Sequence, residues 1–258
     1  MRRIDRRAYP LVVLLAAGPL AAADLAPTGT LRATFLGSNP VQGKVDRATG
    51  AITGPVADLV KDLARRLNVP YTIMPAPDAR RVMDNLEAHK ADIGFLAYDP
   101  ARAAEVDFSR PYALMHNSYI VRKDSDFKTS VDVDRTGARV GAVKGQSQQL
   151  YLSENLKNGK VRIFETMPSE TELETLLLTG ELDAFGANRQ RMVDAAAQAP
   201  KLRVLSDDFL VVGQAIVVLK GSPALLQALN QFLDLARSSG LVKASLERAQ
   251  LAGVDVAP

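Results

Sequence analysis

The chain of 258 residues contains no cysteine and no tryptophan, only two histidines, and aromatic residues at just 5%. Without cysteine the fold cannot rest on disulfides, and neither a CxxC zinc site nor a thiol nucleophile is possible. His89 and His116 are too few and too isolated for a histidine metal site, with no HxxxH spacing and no His-rich run. No metal and no cofactor are therefore expected. GxGxxG and P-loop motifs are absent, as is any repeat of solenoid period. Gly145-Gln146-Ser147-Gln148-Gln149 begins like a nucleophile elbow but lacks the closing glycine, and there is little histidine to serve a serine hydrolase as base. What is present is a chain 47% hydrophobic and 24% charged, enough for one large domain or two small ones, each with its own core.

The formal net charge of +3 is concentrated at the start. Arg2, Arg3, Arg6 and Arg7 precede the apolar run Leu11–Ala17, which is too short to span a bilayer of roughly 30 Å as a helix. Gly18-Pro19 breaks the run, and Ala21-Ala22-Ala23 supplies an A-x-A site before Asp24. This is the pattern of a cleavable export signal, residues 1–23, cut after Ala23. Taking it away removes four Arg and one Asp from the 32 basic and 29 acidic residues, which leaves 28 of each. The remainder carries no charge footprint for nucleic acid. No later segment is long and apolar enough for a membrane span. The expectation is a soluble, exported protein, in a periplasm.

Strand and helix patterns alternate, which argues α/β. Strands are predicted at Leu31–Leu36, Tyr71–Met74 and Asp92–Leu96, with a loop or hairpin over Asn39–Gly54. Pro55 suits a helix N1 position, and Val56, Leu59, Val60, Leu63 and Leu67 form one apolar stripe behind it. Asp78–Lys90 reads as a second helix. A similar set follows: strands at Ala138–Val143, Val161–Phe164 and Asp183–Gly186, and helices at Ser147–Leu156, after Ser169 with Glu172 as a capping box, and after Asn188. Leu202–Leu205 and Gln214–Lys220 read as further strands. Two helices close the chain, one starting at Ser222-Pro223 and a short one after Gly240.

Two segments stand out as candidate chemistry. Val143-Lys144-Gly145-Gln146-Ser147-Gln148 runs from a strand into a helix, where free backbone N–H groups attract an anion; Ser147 adds a hydroxyl and Lys144 a charge. The same residues also read as an ordinary N-cap preceded by a left-handed glycine. In Tyr98-Asp99-Pro100-Ala101-Arg102, Asp99 would cap a helix, Pro100 would take N1, and Arg102 would sit in the first turn, where a cation is unfavourable. Either Arg102 holds an anion with its two-pronged guanidinium, or it pairs with Glu105 three residues on. His89 and His116 read as structural or solvated.

The order of segments resembles the family 3 extracellular solute-binding proteins. Lys90-Ala91-Asp92-Ile93-Gly94-Phe95, then Asp99-Pro100-Ala101-Arg102, then Val106-Asp107-Phe108-Ser109-Arg110-Pro111-Tyr112 follow that family's pattern. Gly54-Pro55-Val56-Ala57-Asp58-Leu59 resembles its first helix start, Arg139–Ser147 its second-lobe turn, and Gly180-Glu181-Leu182-Asp183-Ala184 its G-x-x-D-A. The resemblance implies a two-lobed periplasmic-binding-protein fold of type II, a Venus flytrap with two hinge strands. Lobe 1 would be 24–113 and 211–258, lobe 2 would be 114–210, and the hinges would lie near Leu114 and Val211–Gly213. It also implies a small carboxylate-bearing ligand, an amino acid or related organic acid, held between the lobes by a monomer, and a membrane permease of an ABC importer as partner, with no nucleic acid involved and no catalysis. By the same resemblance the ligand-binding set is Arg102, for the carboxylate, with Ser147, Gln148, Gln146, Tyr98, Ala97, Asn188 and Ser38. Ala97 replaces the family's usual hydroxyl, Asn188 the Asp that amino-acid binders set against an ammonium, and Ala79-Arg80-Arg81 its usual aromatic. Two other readings stay open: an enzyme like the cyclohexadienyl dehydratases, with Asp99 as general acid, and a sensor or accessory protein that does not transport.

Overall fold

The computed structural model describes residues 25–258; the expected export signal lies outside the described residues. In chain order, the first half holds β1 (Leu31–Leu36), the hairpin β2 (Lys44–Val45) and β3 (Ile52–Thr53), α1 (Pro55–Leu67), β4 (Tyr71–Ala76), α2 (Ala79–Glu87) and β5 (Ile93–Ala97). The long β6 (Val106–Arg122) leads into the second half: β7 (Arg139–Val143), α3 (Ser147–Asn155), β8 (Lys160–Phe164), α4 (Glu170–Leu178), β9 (Ala184–Asn188), α5 (Arg189–Gln198) and β10 (Leu202–Val204). β11 (Leu210–Leu219), α6 (Pro223–Ser238), α7 (Leu241–Ala249) and β12 (Val254–Val256) complete the chain.

Each half is a small parallel sheet. β1 pairs in parallel with β4 and β5, and β7 in parallel with β8 and β9. The same tie closes both. Arg32 donates its backbone N–H to Asp92 at 2.8 Å and its guanidinium to the same carboxylate; Arg139 does likewise to Asp183, also at 2.8 Å. The aspartates of the two motif segments are thus staples between first and third strands.

The halves are joined by two antiparallel strands, β6 and β11, in one ten-stranded sheet. The first part of β6 lies on β11, and its last residues pair with β9 and β10. Leu114 stands opposite Gly213, and Met115 opposite Val212. Pro111 cannot donate to the ladder, and the register shifts beside its partner Ala215. A Cβ on Gly213 would approach that of Pro111 to 2.9 Å, so glycine is what lets the strands pass. β12 adds a third strand at this crossing, Asp255 opposite Leu114, and was not anticipated because three residues near a chain end carry too little pattern.

Helices cover both faces of each half. α1 and α6 bury Leu59, Leu63, Leu229 and Phe232 against Leu31, Phe35 and Ile216, while α2 packs Val82 and Leu86 on the opposite face with Val217. In the second half α4 and α5 pack on Phe185, and α3 lays Leu152 against Val140 on the other face. Pro55 takes the first position of α1, and Asn68 ends it in the left-handed conformation at φ 55°.

Local corrections are small. Asn188 caps α5 as expected, but Ser169 forms only the forward half of its capping box, accepting from the Glu172 N–H at 3.2 Å. α2 ends at Glu87 rather than Lys90, with His89 already at φ 52°. Arg102 opens a three-residue 3-10 turn and not an α-helix. Glu105 pairs with Arg80 and leaves Arg102 to other partners.

Candidate functional site

The candidate residues sit at the carboxyl ends of the parallel strands, where open α/β sheets leave a crevice. Ser38 follows β1, Ala97 ends β5, the Gly145–Gln148 turn follows β7, and Asn188 ends β9. Two come from each half, so the crevice lies between the halves.

Arg102 spans it. Its side chain is buried, at 7% exposure, and donates from Nη1 to the Ala97 carbonyl at 2.9 Å and from Nη2 to the Gly145 carbonyl at 2.5 Å. The first partner belongs to its own half and the second to the other. Asp99 turns its carboxylate back on the chain and accepts from the Ala101 and Arg102 N–H groups. Burial lowers the Arg102 pKa, with the Asp99 charge acting against that, and a guanidinium starts high enough to remain charged.

The opposite wall is the turn into α3. Gly145 has φ +67°, and Gln146 occupies the N-cap without any side-chain cap bond. The first amides of α3 are therefore not claimed by a capping side chain. Ser147 and Gln148 are buried. Lys144, expected to add charge, instead pairs with Glu165 at 2.9 Å on the outer rim.

Seven of the eight candidates line one cavity of about 20 Å³: Ser38, Ala97, Arg102, Gln146, Ser147, Gln148 and Asn188. Tyr98 does not. Successive strand residues point to opposite sides, so with Ala97 facing the cavity Tyr98 turns away. It is half-exposed, packs edge-on against Phe108 at 5.2 Å, and together with Asp99 lines a neighbouring hollow that takes residues from both halves and shares Ser147 with the cavity. Asn188 has a double role: its Oδ1 accepts from the Arg191 N–H at 2.9 Å while the side chain lines the cavity.

Sequence reasoning missed the layer of amides around this cavity. Asn117 donates to the Met115 and Leu210 carbonyls, both at 3.1 Å, which fixes its Oδ1 as the acceptor for Gln148 Nε2. Gln148 Oε1 is in turn fixed as an acceptor, and it is buried without a hydrogen-bond partner among the described residues. Gln42 joins Gln214 at 3.0 Å, and Asn39 lines the cavity with Gln42. A glutamine within the apolar run of β11 was the available signal. Also missed was Arg191, whose guanidinium crosses the crevice to the Ser38 carbonyl. Among the described residues lining the cavity there is no carboxylate and no imidazole. Two wider hollows of about 530 and 550 Å³ open on either side and share Ser38 with it.

Comparison with known proteins agrees with this architecture. The model of the bacterial extracellular solute-binding proteins, family 3, matches residues 32–249. The L-cystine-binding protein TcyJ of Escherichia coli is 24% identical over 209 residues, 77% of this chain and 74% of its own. The glutamine-binding protein GlnH of an ABC transporter in Bacillus subtilis is 29% identical over 139 residues, 54% of this chain and 50% of its own. Among solved structures, a mutant of ArgBP from T. maritima superposes with a TM-score of 0.72 at 26% identity, covering 89% of this chain and 98% of that one. The ancestral amino-acid-binding protein AncCDT-1, a precursor of cyclohexadienyl dehydratase, gives 0.71 at 25% identity over 88% and 97%.

Proposed function

We propose a function from one premise: the chain belongs to the bacterial extracellular solute-binding proteins, family 3. It captures a small solute bearing a carboxylate between its two lobes and delivers it to the permease of an ABC importer. It acts in the periplasm as a monomer, after cleavage behind Ala23. Lobe 1 is 24–113 with 211–258, lobe 2 is 114–210, and the lobes close about the antiparallel pairing of Leu114 with Gly213. Relatives that bind cystine and glutamine support a solute of amino-acid size.

The observation that carries the reading is Arg102. It is a buried guanidinium bonded to backbone carbonyls of both halves, one of them Gly145 in the turn that leads into α3. A carboxylate placed there would take a charge-assisted, two-pronged bond from one lobe and N–H groups from the other. Arg102 and Arg191 both bond across the gap, so a carboxylate enters as the lobes part. Ser147, Gln148, Gln146, Ala97, Asn188 and Ser38 complete the binding surface.

The binding reading is favoured over catalysis by the chemistry of the lining. A dehydratase needs a general acid at the ligand. Asp99, the candidate acid, accepts from the backbone N–H groups of Ala101 and Arg102 and borders the neighbouring hollow, not the cavity. The test is isothermal titration against organic and amino acids, with the bound compound recovered and identified by mass spectrometry. Saturable binding with the compound returned unchanged is expected. Recovery of a dehydrated or decarboxylated product would refute the reading.

A further inference from the structure

The two halves repeat one plan, and the repeat extends to the crevice. In the first half, the segment just after the third strand (β5) carries Arg102, which reaches over to the turn after the opposite half's first strand, at the Gly145 carbonyl. In the second half, the segment just after the third strand (β9) carries Arg191, which reaches back to the turn after the first half's first strand, at the Ser38 carbonyl. The two guanidiniums thus cross the same gap in opposite directions, from equivalent places. Each donates to a backbone carbonyl, a weak partner for a charge.

Burial is the main influence on both, and it lowers the pKa of each. Glu170 and Asp194 act on Arg191 in the other sense and border the same rim, but neither forms an ion pair with it among the described residues. Asp194 is engaged with Gln190 at 2.7 Å. Arg191 lines the adjoining hollow, which shares Ser38 with the cavity, and no lining residue of the cavity among those described offers a negative charge. The buried acceptor left unpartnered among the described lining residues, Gln148 Oε1, is a neutral amide oxygen. It can take a hydrogen bond from a hydroxyl, but it cannot neutralise an ammonium, which would be buried beside a like charge.

Resting on the proposed carboxylate site, we infer that the cleft selects a small organic acid with two anionic groups and no ammonium, a dicarboxylate. Arg102 holds one carboxylate, and Arg191 exchanges its bond to Ser38 for the other.

The test uses titration calorimetry and thermal shift on the purified protein with succinate, glutarate, butyrate and L-glutamine. At least one of the two dicarboxylates is expected to bind ten times or more tighter than butyrate, with no saturable binding of L-glutamine. Arg191→Gln should erase the dicarboxylate advantage over butyrate; Arg191→Lys, which keeps the charge, should retain part of it. Asn188→Asp keeps a good helix cap and places a carboxylate on the cavity wall, so it should weaken dicarboxylate binding at least tenfold. The inference fails if neither dicarboxylate binds, if L-glutamine binds more tightly, or if Arg191→Gln binds dicarboxylates as wild type does. Arg102→Met separates this from the broader reading. If L-glutamine binds and that variant abolishes the binding, the carboxylate site stands and only the dicarboxylate inference is lost. If dicarboxylates bind the variant and wild type alike, the site itself is wrong.

Discussion

Replacing Arg102 by Met should have two effects of different size, and the contrast is what makes it informative. In the protein alone, the change removes two hydrogen bonds to the Ala97 and Gly145 carbonyls. It also relieves the desolvation of a buried guanidinium that has no carboxylate partner among the described residues. Buried ions replaced by apolar groups of similar volume often leave stability neutral or raised, and each lost bond is worth about 1 to 3 kcal/mol. The net should stay within about 2 kcal/mol of wild type, a few degrees in Tm for a chain of this size. Ligand binding responds differently. Removing the charged partner of a buried carboxylate costs about 3 kcal/mol, more than a hundredfold in Kd. At a ligand concentration of about 100 Kd for wild type, binding stabilises the fold by roughly 2.7 kcal/mol; after a hundredfold loss the same concentration gives about 0.4 kcal/mol. A ligand-induced rise of about 5 to 11 °C should thus shrink to about 1 to 2 °C. The chain has no Trp, so scanning calorimetry or far-ultraviolet circular dichroism is the suitable readout. A variant that keeps the full ligand-induced shift would show that the carboxylate is held elsewhere.

Three further outcomes follow from the geometry. His116 sits at the strand crossing with Nδ1 2.7 Å from Asp208 and Nε2 2.9 Å from Asp255, and Arg189 also bonds Asp208. Burial alone would lower its pKa, but the two aspartates raise it on balance. A raised folded pKa adds stability that is fully present below the unfolded value near 6.5 and is lost as pH rises through the folded pKa. The Tm gap between wild type and His116→Gln should therefore shrink from pH 6 to pH 8.5, and a gap that widens would contradict the assignment. Gly141→Ala should destabilise by about 1 to 3 kcal/mol in denaturant titration, because its Cβ would come within 2.4 Å of Phe185 Cδ2 in the second core. Arg32→Met strips the partner from Asp92, whose side chain is only 6% exposed, and should cost about 2 to 4 kcal/mol, whereas an unchanged denaturation midpoint would mean the strand staple is dispensable.

Much of the fold could be read because its elements are strongly patterned. α1 announces itself by a proline at N1 and an apolar stripe, and buried strands such as β5 by a short apolar run. β6 was harder. It crosses the joint and serves both halves of the one sheet, so it interleaves Pro111, His116, Asn117 and Ser118 with apolar residues and shows no single period. Those same polar residues mark where the chain stops serving a core. Asn117 and Ser118 are fully buried, yet bond backbone carbonyls and Gln148. For the cavity, sequence order located the strand ends that form its walls, but not which way each side chain turns. Ala97 faces in and Tyr98 out by strand alternation alone, and the sequence does not show which of the pair faces the gap.

The repeated plan also explains why Arg102 was legible and Arg191 was not. Both follow a third strand, and both cross to a first-strand turn. Arg102 follows Asp99-Pro100 at a helix start, where a cation is out of place, and that anomaly draws attention. Arg191 lies in the first turn of α5 among Arg189 and Gln190, where a row of polar residues looks like a solvated helix face. Its neighbour Arg189 indeed serves structure, bonding Asp208 and the Leu205 and Asp207 carbonyls. Only the pairing of halves sets Arg191 apart. If one plan is used twice, a group that reaches over the gap from one half should have a counterpart that reaches back. The two need not be chemically alike, because the surrounding turns differ: Ser38 lies in a loop, whereas Gly145 precedes a helix whose amides attract an anion. On the proposed reading, Arg102 should therefore contribute more to affinity and Arg191 more to selectivity.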